Sequence, residues 1–238
     1  MKALAILLLI LIACSQPIEP TPQPTLKPPA GALPSGTATT QDGQTIAYQM
    51  YANKAGSPAI ILIHQLRRSR ADWDSVAKWL QKSGYTVIVP DLRGHGQSTG
   101  NLETFTPEDY NKITNDIAAM KSVLENQGAN VKRTGIIGAS IGANIAYNYA
   151  VQDPDVKTAV LLSPGLEYRG IVIDTSTLGR PFLVVASQDD NYSAATAQEF
   201  KMNTNANVKM YEDAGHATNM FSKKDLAPTI LSWLQENV

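Results

Sequence analysis

The sequence predicts a single α/β domain, built as a mostly parallel sheet of about eight strands with helices on both faces. Short apolar runs alternate with segments of helical periodicity along most of the chain. Several of these runs are continuously apolar, which is typical of strands that are covered on both faces. The length of 238 residues suits one domain, and 43% hydrophobic with 17% charged residues is a globular composition.

The first residues are predicted to stand outside this domain. Residues 3–13 form an unbroken apolar run after Lys2, which is the pattern of a secretory signal and is too short to span a bilayer. The run ends in Leu11-Ile12-Ala13-Cys14, which resembles the bacterial lipobox. The resemblance implies a signal peptide over residues 1–13 and a lipid such as palmitate on Cys14. An ordinary signal peptide with a chance cysteine is the alternative.

A proline-rich segment follows the cysteine. Residues 14–36 contain seven prolines, which exclude a helix or a strand ladder and favour extended polyproline conformations. We interpret this segment as a spacer between a membrane surface and a domain over residues 37–238. The expected location is extracytoplasmic, with the protein anchored to a bacterial cell membrane by the lipid.

The domain begins with a predicted hairpin and continues with single strands. Asp42-Gly43 lies between two polar–apolar stretches of Thr39–Tyr51, which favours two antiparallel strands joined by a tight turn. The later strands are predicted from their apolar runs. These runs are Ala59–His64, Tyr85–Pro90, Arg133–Gly138, Thr158–Leu162, Phe182–Ala186 and Val208–Tyr211.

The first predicted helix follows the strand Ala59–His64. Ser69-Arg70-Ala71-Asp72 looks like a capping box, in which a serine and an acid three residues later bond each other's backbone. Trp73, Val76 and Leu80 then share one stripe, and Gly84 marks the end of the helix.

The second predicted helix begins at Thr106-Pro107-Glu108-Asp109, with proline in the first helical position and acids in the first turn. Apolar residues then recur at helical spacing up to Gly128. They are Tyr110, Ile113, Ile117, Met120 and Leu124. The remaining helices are predicted near Ile141–Val151, Ala194–Met202 and Leu226–Glu236.

A candidate nucleophile lies between a predicted strand and a predicted helix. Gly138-Ala139-Ser140-Ile141-Gly142 fits the pattern G-x-S-x-G, whose glycines allow a sharp turn that exposes the serine. The turn also places Ser140 at a helix N-terminus, where developing negative charge is favoured. A glycine-rich turn with a capping serine is the structural alternative.

A serine hydroxyl needs a base, and the base needs an acid to orient it. His216 directly follows the last predicted strand, and Asp189-Asp190 follows the strand that ends at Ala186. Adjacent aspartates point in different directions. The segment Ala186-Ser187-Gln188-Asp189-Asp190 resembles the hydrolase pattern of a strand, a small residue, two variable residues and then the acid. This resemblance favours Asp190 as the acid and Asp189 as a solvated or hydrogen-bonding neighbour.

These residues resemble the α/β-hydrolase superfamily over residues 37–238. The chain order serine, acid, histidine is the order of that family. The segment 91–98, Asp-Leu-Arg-Gly-His-Gly-Gln-Ser, looks like the family's D-x-R-G-x-G-x-S loop, which implies a structural role for His95. The resemblance implies a lidless serine esterase, because only Ser163–Arg180 is available for a cap. A shallow site for short-chain or accessible esters is expected.

The resemblance also implies an oxyanion hole, a pair of backbone N–H groups that bind the developing negative oxygen. Ile141 supplies one N–H, and by position Leu66 supplies the other, with Gln65 as the alternative. The family's usual glycine is Gln65 here, and His64 is expected to orient the loop through a side-chain hydrogen bond.

Three arginines lie beside this loop, at positions 67, 68 and 70. The ordinary interpretation is a solvated face. The sharper hypothesis is that one of them attracts an acidic substrate.

Composition excludes several other classes of function. Lys and Arg total 20 against 21 Asp and Glu, so the net charge of −1 argues against a nucleic-acid partner. One Cys and three His leave little room for a metal centre, and the chemistry needs no cofactor. The predicted partners are a small ester or amide substrate and a membrane, with no obligate protein partner evident.

The leading hypothesis is therefore a carboxylesterase that works through an acyl-enzyme on Ser140. An amide or peptide hydrolase with the same Ser140, Asp190 and His216 is the first alternative. A tethered binding protein without turnover is the second.

Overall fold

An eight-stranded sheet forms the centre of the computed structural model, which describes residues 35–177 and 179–238. Cys14, the predicted signal peptide and nearly all of the proline-rich segment lie outside the described residues. The sheet strands are β1 Ser35–Thr39, β2 Thr45–Tyr51, β3 Pro58–Ile63, β4 Thr86–Pro90, β5 Asn130–Ala139, β6 Val156–Leu162, β9 Phe182–Ser187 and β10 Asn207–Tyr211. A separate two-stranded hairpin consists of β7 Glu167–Tyr168 and β8 Ile171–Val172.

The strand order is β1-β2-β4-β3-β5-β6-β9-β10. All pairs from β4 to β10 are parallel, while β2 pairs antiparallel with both β1 and β4. The predicted opening hairpin is confirmed, and Gly43 in its turn has φ +83°. The mostly parallel α/β architecture predicted from the sequence is thus confirmed.

Six α-helices connect or cover the strands within the described part of the chain. They are α1 Asp74–Lys82, α2 Pro107–Asn111, α3 Thr114–Asn126, α4 Ile141–Gln152, α5 Asn191–Asn203 and α6 Leu226–Asn237. Short 3₁₀ helices cover Arg70–Trp73, Leu102–Thr104, Thr175–Thr177 and Ala217–Ser222. None of the helices over residues 35–177 and 179–238 is both long and apolar enough to cross a bilayer.

The sheet separates two hydrophobic layers, as the apolar strands require. One layer packs α3, α4 and α5 against the sheet through side chains such as Ile117, Ile145 and Phe200. The other packs α1 and α6 through side chains such as Leu80 and Ile230. Both faces of the central strands are therefore buried, which explains why their sequences do not alternate.

One predicted helix start differs from the structure. Ser69 accepts a hydrogen bond from Ala71 N–H and caps the 3₁₀ helix Arg70–Trp73, so α1 begins only at Asp74. The Asp72 carboxylate binds Arg68 and does not complete a reciprocal cap. The capping box predicted at this position is therefore wrong.

The helix predicted from Thr106 does begin with a reciprocal cap, formed by Thr106 and Asp109. It is interrupted between α2 and α3. Ile113 N–H donates to Tyr110 O and Asp116 N–H donates to Ile113 O, which are the tighter bonds of a 3₁₀ turn. The predicted apolar positions are nevertheless all buried, so the spacing identified the buried face and missed the break.

The loop after β4 is structural, as expected from its sequence. Arg93 is 3% exposed and forms ion pairs with Asp42 and Asp116 at 2.6 and 2.7 Å. A Cβ on Gly96 would lie 2.0 Å from the carboxylate of Asp91, so only glycine fits there. The loop thereby joins the opening hairpin, α3 and the chain leaving β4.

Candidate active site

The candidate nucleophile lies in a strained turn between β5 and α4. Ser140 has φ +55° and ψ −123°, a conformation that an L-residue adopts only under constraint. Its N–H donates to Leu162 O at 2.8 Å. A Cβ on Gly138 would lie 2.0 Å from Gly142 O, and a Cβ on Gly142 would lie 2.6 Å from Ile63 O. Both glycines of the motif are therefore required by close backbone approach.

The Ser140 side chain is held at the start of α4 and does not cap it. Its hydroxyl makes no hydrogen bond to the N-terminal turn, and the side chain is half-buried. The aligned peptide dipoles of α4 favour negative charge at this point. The hydroxyl is therefore not used as a helix cap, and its surroundings favour negative charge.

The candidate base and acid are in direct contact. His216 Nδ1 donates to Asp190 Oδ2 at 2.6 Å, with side-chain exposures of 39% and 16%. Burial by itself would raise the pKa of Asp190, but hydrogen bonds from Ser193 and His216 outweigh it, so the pKa lies below its ordinary value. Asp190 is therefore an ionised partner that holds the ring with Nε2 facing away from the carboxylate.

Asp189 has a different task from Asp190. Its carboxylate accepts from Ser187 Oγ, from Ala214 N–H at 3.3 Å and from Gly215 N–H at 3.1 Å. The bond from Ser187 is the main cause of its lowered pKa. Asp189 thus ties down the loop before His216, whereas the structure places Asp190 against the imidazole.

Ser163 links these groups, and sequence reasoning did not single it out as a site residue. It is fully buried with φ +50°, and its N–H donates to Val185 O at 2.8 Å. Its Oγ accepts from Ala217 N–H at 2.8 Å, and its hydroxyl contributes to lowering the pKa of Asp190. A polar residue directly after the strand β6 was the available signal.

The contacts of Ser163 place the nucleophile turn beside the acid–base pair. Ser140 N–H donates to Leu162 O. Ser163, the residue after Leu162, binds the backbone N–H of Ala217 and acts on the pKa of Asp190. The described side chains include no direct hydrogen bond between Ser140 Oγ and the His216 ring. Catalytic hydrogen bonds are often long before a substrate binds.

The loop after β3 is held by two histidines. His64 Nε2 accepts from Leu92 N–H at 3.0 Å, so the neutral ring carries its proton on Nδ1 and donates it to Gln65 O at 2.8 Å. Likewise, His95 Nε2 accepts from Arg67 N–H at 3.1 Å. Burial lowers the pKa of His64 to about 4 and lowers that of His95 as well. Both rings are therefore neutral clamps on this loop.

This clamp orients the candidate oxyanion donors. In a trans peptide the C=O and the following N–H point in opposite directions. Because His64 holds Gln65 O on one side, Leu66 N–H is turned to the other. Leu66 N–H and Ile141 N–H both lack an acceptor among the described residues. The left-handed conformation in this turn belongs to Arg67, with φ +59°, and not to Gln65, which stands where the family usually has glycine.

The three arginines beside this loop are each paired with a carboxylate. Arg67 lies 2.9 Å from Glu103, and both side chains are exposed. Arg68 binds Asp72 through two hydrogen bonds of 2.8 Å. The third arginine, at position 70, binds Asp91 and Gln97. The run therefore presents balanced charge, and the residue at position 70 stabilises the loop after β4.

No cluster of three or more His, Cys, Asp or Glu side chains within residues 35–177 and 179–238 is placed to hold a metal ion.

Comparison with known proteins identifies relatives of the chain. The family described as the alpha/beta hydrolase fold matches residues 58–176, half of the sequence. A non-heme chloroperoxidase of Streptomyces lividans is 30% identical over 162 residues, which cover 68% of this chain and 54% of the relative. A bifunctional esterase/perhydrolase of Acinetobacter calcoaceticus is 32% identical over 130 residues, which cover 54% and 44%.

A solved structure shares the architecture over nearly the whole described chain. An esterase of Pyrococcus furiosus superposes with a TM-score of 0.70 at 18% identity, covering 87% of this chain and 93% of the other. The chain spans only part of the length of the curated relatives that it matches. It covers 54% of the chloroperoxidase, 44% of the esterase/perhydrolase and 30% of a mycobacterial relative.

Proposed function

Because the chain belongs to the α/β-hydrolase fold family, we propose that it is a serine hydrolase that cleaves carboxylic esters through an acyl-enzyme. The bond of 2.6 Å between His216 Nδ1 and Asp190 Oδ2, beside a serine in a strained strand-to-helix turn, carries the proposal. The names of the Acinetobacter and Pyrococcus relatives also support esters as the substrate class.

In the proposed acylation, Ser140 Oγ attacks the ester carbon and His216 Nε2 takes the hydroxyl proton. The C=O electron pair moves onto oxygen, and the tetrahedral intermediate collapses as the bond to the leaving group breaks. His216 returns the proton to the departing alcohol. Asp190 stabilises the imidazolium formed between these two transfers and keeps its tautomer fixed. Water then repeats the sequence on the acyl-enzyme and releases the acid.

The oxyanion formed in both steps needs donors that are already oriented. Leu66 N–H and Ile141 N–H are the proposed pair, because Ile141 directly follows Ser140, Leu66 follows the neighbouring strand β3, and both groups lack an acceptor among the described residues. The His64 hydrogen bond to Gln65 O supports this assignment. The donors would act without rearrangement at the moment of attack.

The test is labelling of the domain with a fluorophosphonate, followed by peptide mass spectrometry. We expect a stoichiometric adduct on Ser140, with Ser140→Ala losing both the adduct and roughly 10⁴- to 10⁶-fold in ester turnover. Ser122→Ala is the matched control, since this exposed serine bonds only Ala118 O. Absence of an adduct and of ester turnover in folded protein would overturn the proposal.

The amide alternative uses the same residues and is separated by substrate choice. A short-chain ester and an aminopeptide anilide with the same acyl group are compared by kcat/KM. We expect the ester to be preferred, because the described segment between β6 and β9 is too short for a sizeable cap that would enclose a peptide. A higher kcat/KM for the anilide would assign the site to amide hydrolysis.

We also propose that Cys14 carries a lipid that anchors the protein to the outside of a bacterial membrane. The support is sequence alone: the only cysteine follows an apolar run of eleven residues and precedes the proline-rich segment. Radioactive palmitate incorporation and detergent-phase partitioning should both be lost in Cys14→Ser. Partitioning of the wild type into the aqueous phase would refute the anchor.

A further inference from the structure

A small hairpin stands over the C-terminal ends of the central strands. It is formed by β7 and β8, in the segment between β6 and β9. The residues of its two-residue turn, Arg169 and Gly170, have φ +55° and +83°, the pattern of a type I′ turn. This segment takes the place of a larger cap and supplies side chains to the site.

The base of this hairpin is fastened to the nucleophile helix. Asn144 is fully buried one turn after Ser140, and its Nδ2 donates to Gly165 O at 2.8 Å and to Ile171 O at 2.9 Å. Gly165 N–H in turn donates to Asn144 Oδ1 at 3.1 Å. One amide therefore fixes both sides of the hairpin relative to α4, and the hairpin is positioned as precisely as the helix.

Tyr168 on this hairpin points its hydroxyl into the site. The hydroxyl lies 3.5 Å from Ser193 Oγ, and Ser140 is near enough to act on the pKa of Tyr168. Its ring packs edge-on against Tyr192 with centroids 5.5 Å apart. A Cβ on Gly165 would lie 2.5 Å from the Tyr192 ring and 2.8 Å from the Tyr168 ring, so glycine is needed for both rings to fit.

The surroundings of Tyr168 keep its hydroxyl protonated. Burial is the main cause of a pKa above the ordinary value, and the negative charge of Asp190 acts in the same direction. The hydroxyl is therefore a hydrogen-bond donor at neutral pH, and Ser140 and the space around it are within its reach.

The sheet order decides which side of the nucleophile Tyr168 occupies. Ser140 follows β5, whose neighbours are β3 on one side and β6 on the other. Leu66 follows β3, whereas Tyr168 follows β6 and Asp190 follows β9. The proposed oxyanion donor and Tyr168 thus lie on opposite flanks of Ser140. The flank of Tyr168 is that of the acid–base pair, to which the leaving group must turn to receive its proton.

We infer that Tyr168 is a catalytic residue that donates a hydrogen bond to the leaving-group oxygen of the ester. This inference rests on the proposed esterase function. As the bond between the acyl carbon and that oxygen breaks, its electron pair moves onto the oxygen, and the proton from His216 Nε2 joins it. Tyr168 keeps its own proton and stabilises the charge before that transfer is complete.

The test compares Tyr168→Phe with the wild type on two esters that share an acyl group, ethyl butyrate and 4-nitrophenyl butyrate. An alkoxide needs stabilisation as it leaves, while 4-nitrophenolate needs little. We expect kcat/KM for the ethyl ester to fall roughly 10²- to 10³-fold, the range for loss of one donor to developing charge. The value for the aryl ester should change less than about threefold on the same grounds.

Tyr192→Phe is the matched control, because its hydroxyl bonds only the backbone of Glu167. It should leave the ratio of the two kcat/KM values unchanged. The inference is overturned if Tyr168→Phe lowers both esters equally, changes neither, or shows a pattern that Tyr192→Phe reproduces. The inference is also contradicted if the wild type cleaves 4-nitrophenyl butyrate but not ethyl butyrate, because the enzyme would then not stabilise a departing alkoxide.

These outcomes separate the two proposals. Ester turnover that depends on Ser140 together with an unchanged Tyr168→Phe variant removes only the role of Tyr168. Absence of wild-type turnover on every ester removes the proposed function itself, and the role of Tyr168 with it.

Discussion

Acidification should weaken the fold through a histidine outside the acid–base pair. His64 is fully buried, and both ring nitrogens are used in hydrogen bonds to the backbone. Protonation would place a charge in the core and break the bond from Leu92 N–H to Nε2. Burial accordingly lowers the pKa of this ring from an ordinary 6.5 to about 4 in the folded protein.

The sign and size of the effect follow from that difference. Between pH 6.5 and 4 the unfolded chain binds a proton at His64 that the folded chain does not bind. The titration of His64 therefore leaves the free energy of unfolding unaffected well above pH 6.5 and lowers it as the pH drops toward 4. From pH 7 to pH 5 the loss from this one group is about 2 kcal/mol. Ordinary carboxylates titrate mostly below that window.

The assay is urea unfolding at pH 7 and at pH 5, with His64→Gln beside the wild type. The introduced amide would keep an acceptor for Leu92 N–H without a titrating ring, so the variant should lose about 2 kcal/mol less than the wild type between the two pH values. Effects of all other groups cancel in this comparison. An equal pH-dependent loss in the variant and the wild type would refute the assignment of His64 as a buried neutral clamp.

Two further predictions concern the candidate site and its support. Asp190→Asn should lower kcat/KM on an ester by roughly 10³- to 10⁴-fold in steady-state kinetics, because the tautomer of His216 is no longer fixed. Asp189→Asn keeps an acceptor oxygen for the loop and should lower kcat/KM far less. The opposite order of the two variants would show that the acid is misassigned. Gly142→Ala should destabilise the protein by about 1–3 kcal/mol in urea unfolding, because its Cβ would meet Ile63 O. Gly179→Ala, whose Cβ would meet nothing within 4 Å, is the control, and equal losses would contradict the close-approach argument.

Most elements of the fold were predictable from local patterns. The predicted strands coincide with all six parallel strands of the sheet, most of them from continuous apolar runs, and Asp42-Gly43 identified the opening hairpin. The failures are also local in character. Ser69 is a residue type preferred at helix N-caps, yet the carboxylate of Asp72 binds Arg68 and does not complete the capping box. A four-residue pattern does not show such competition between side chains.

The sequence by itself indicated the sharp turn at Ser140, because the glycines on either side permit a close backbone approach that other residues would block. It also indicated that an acid and a histidine follow later strands. The sequence favoured Asp190 over Asp189, and the tertiary structure shows its carboxylate in contact with His216. Only the tertiary structure decided that Ser163 binds the backbone after His216 and that the Tyr168 hydroxyl lies beside Ser193. A tyrosine on a short hairpin carries no local signal of such a role. Periodicity reports which face of an element is buried, whereas the contacts of a site depend on how separate strand ends converge in space.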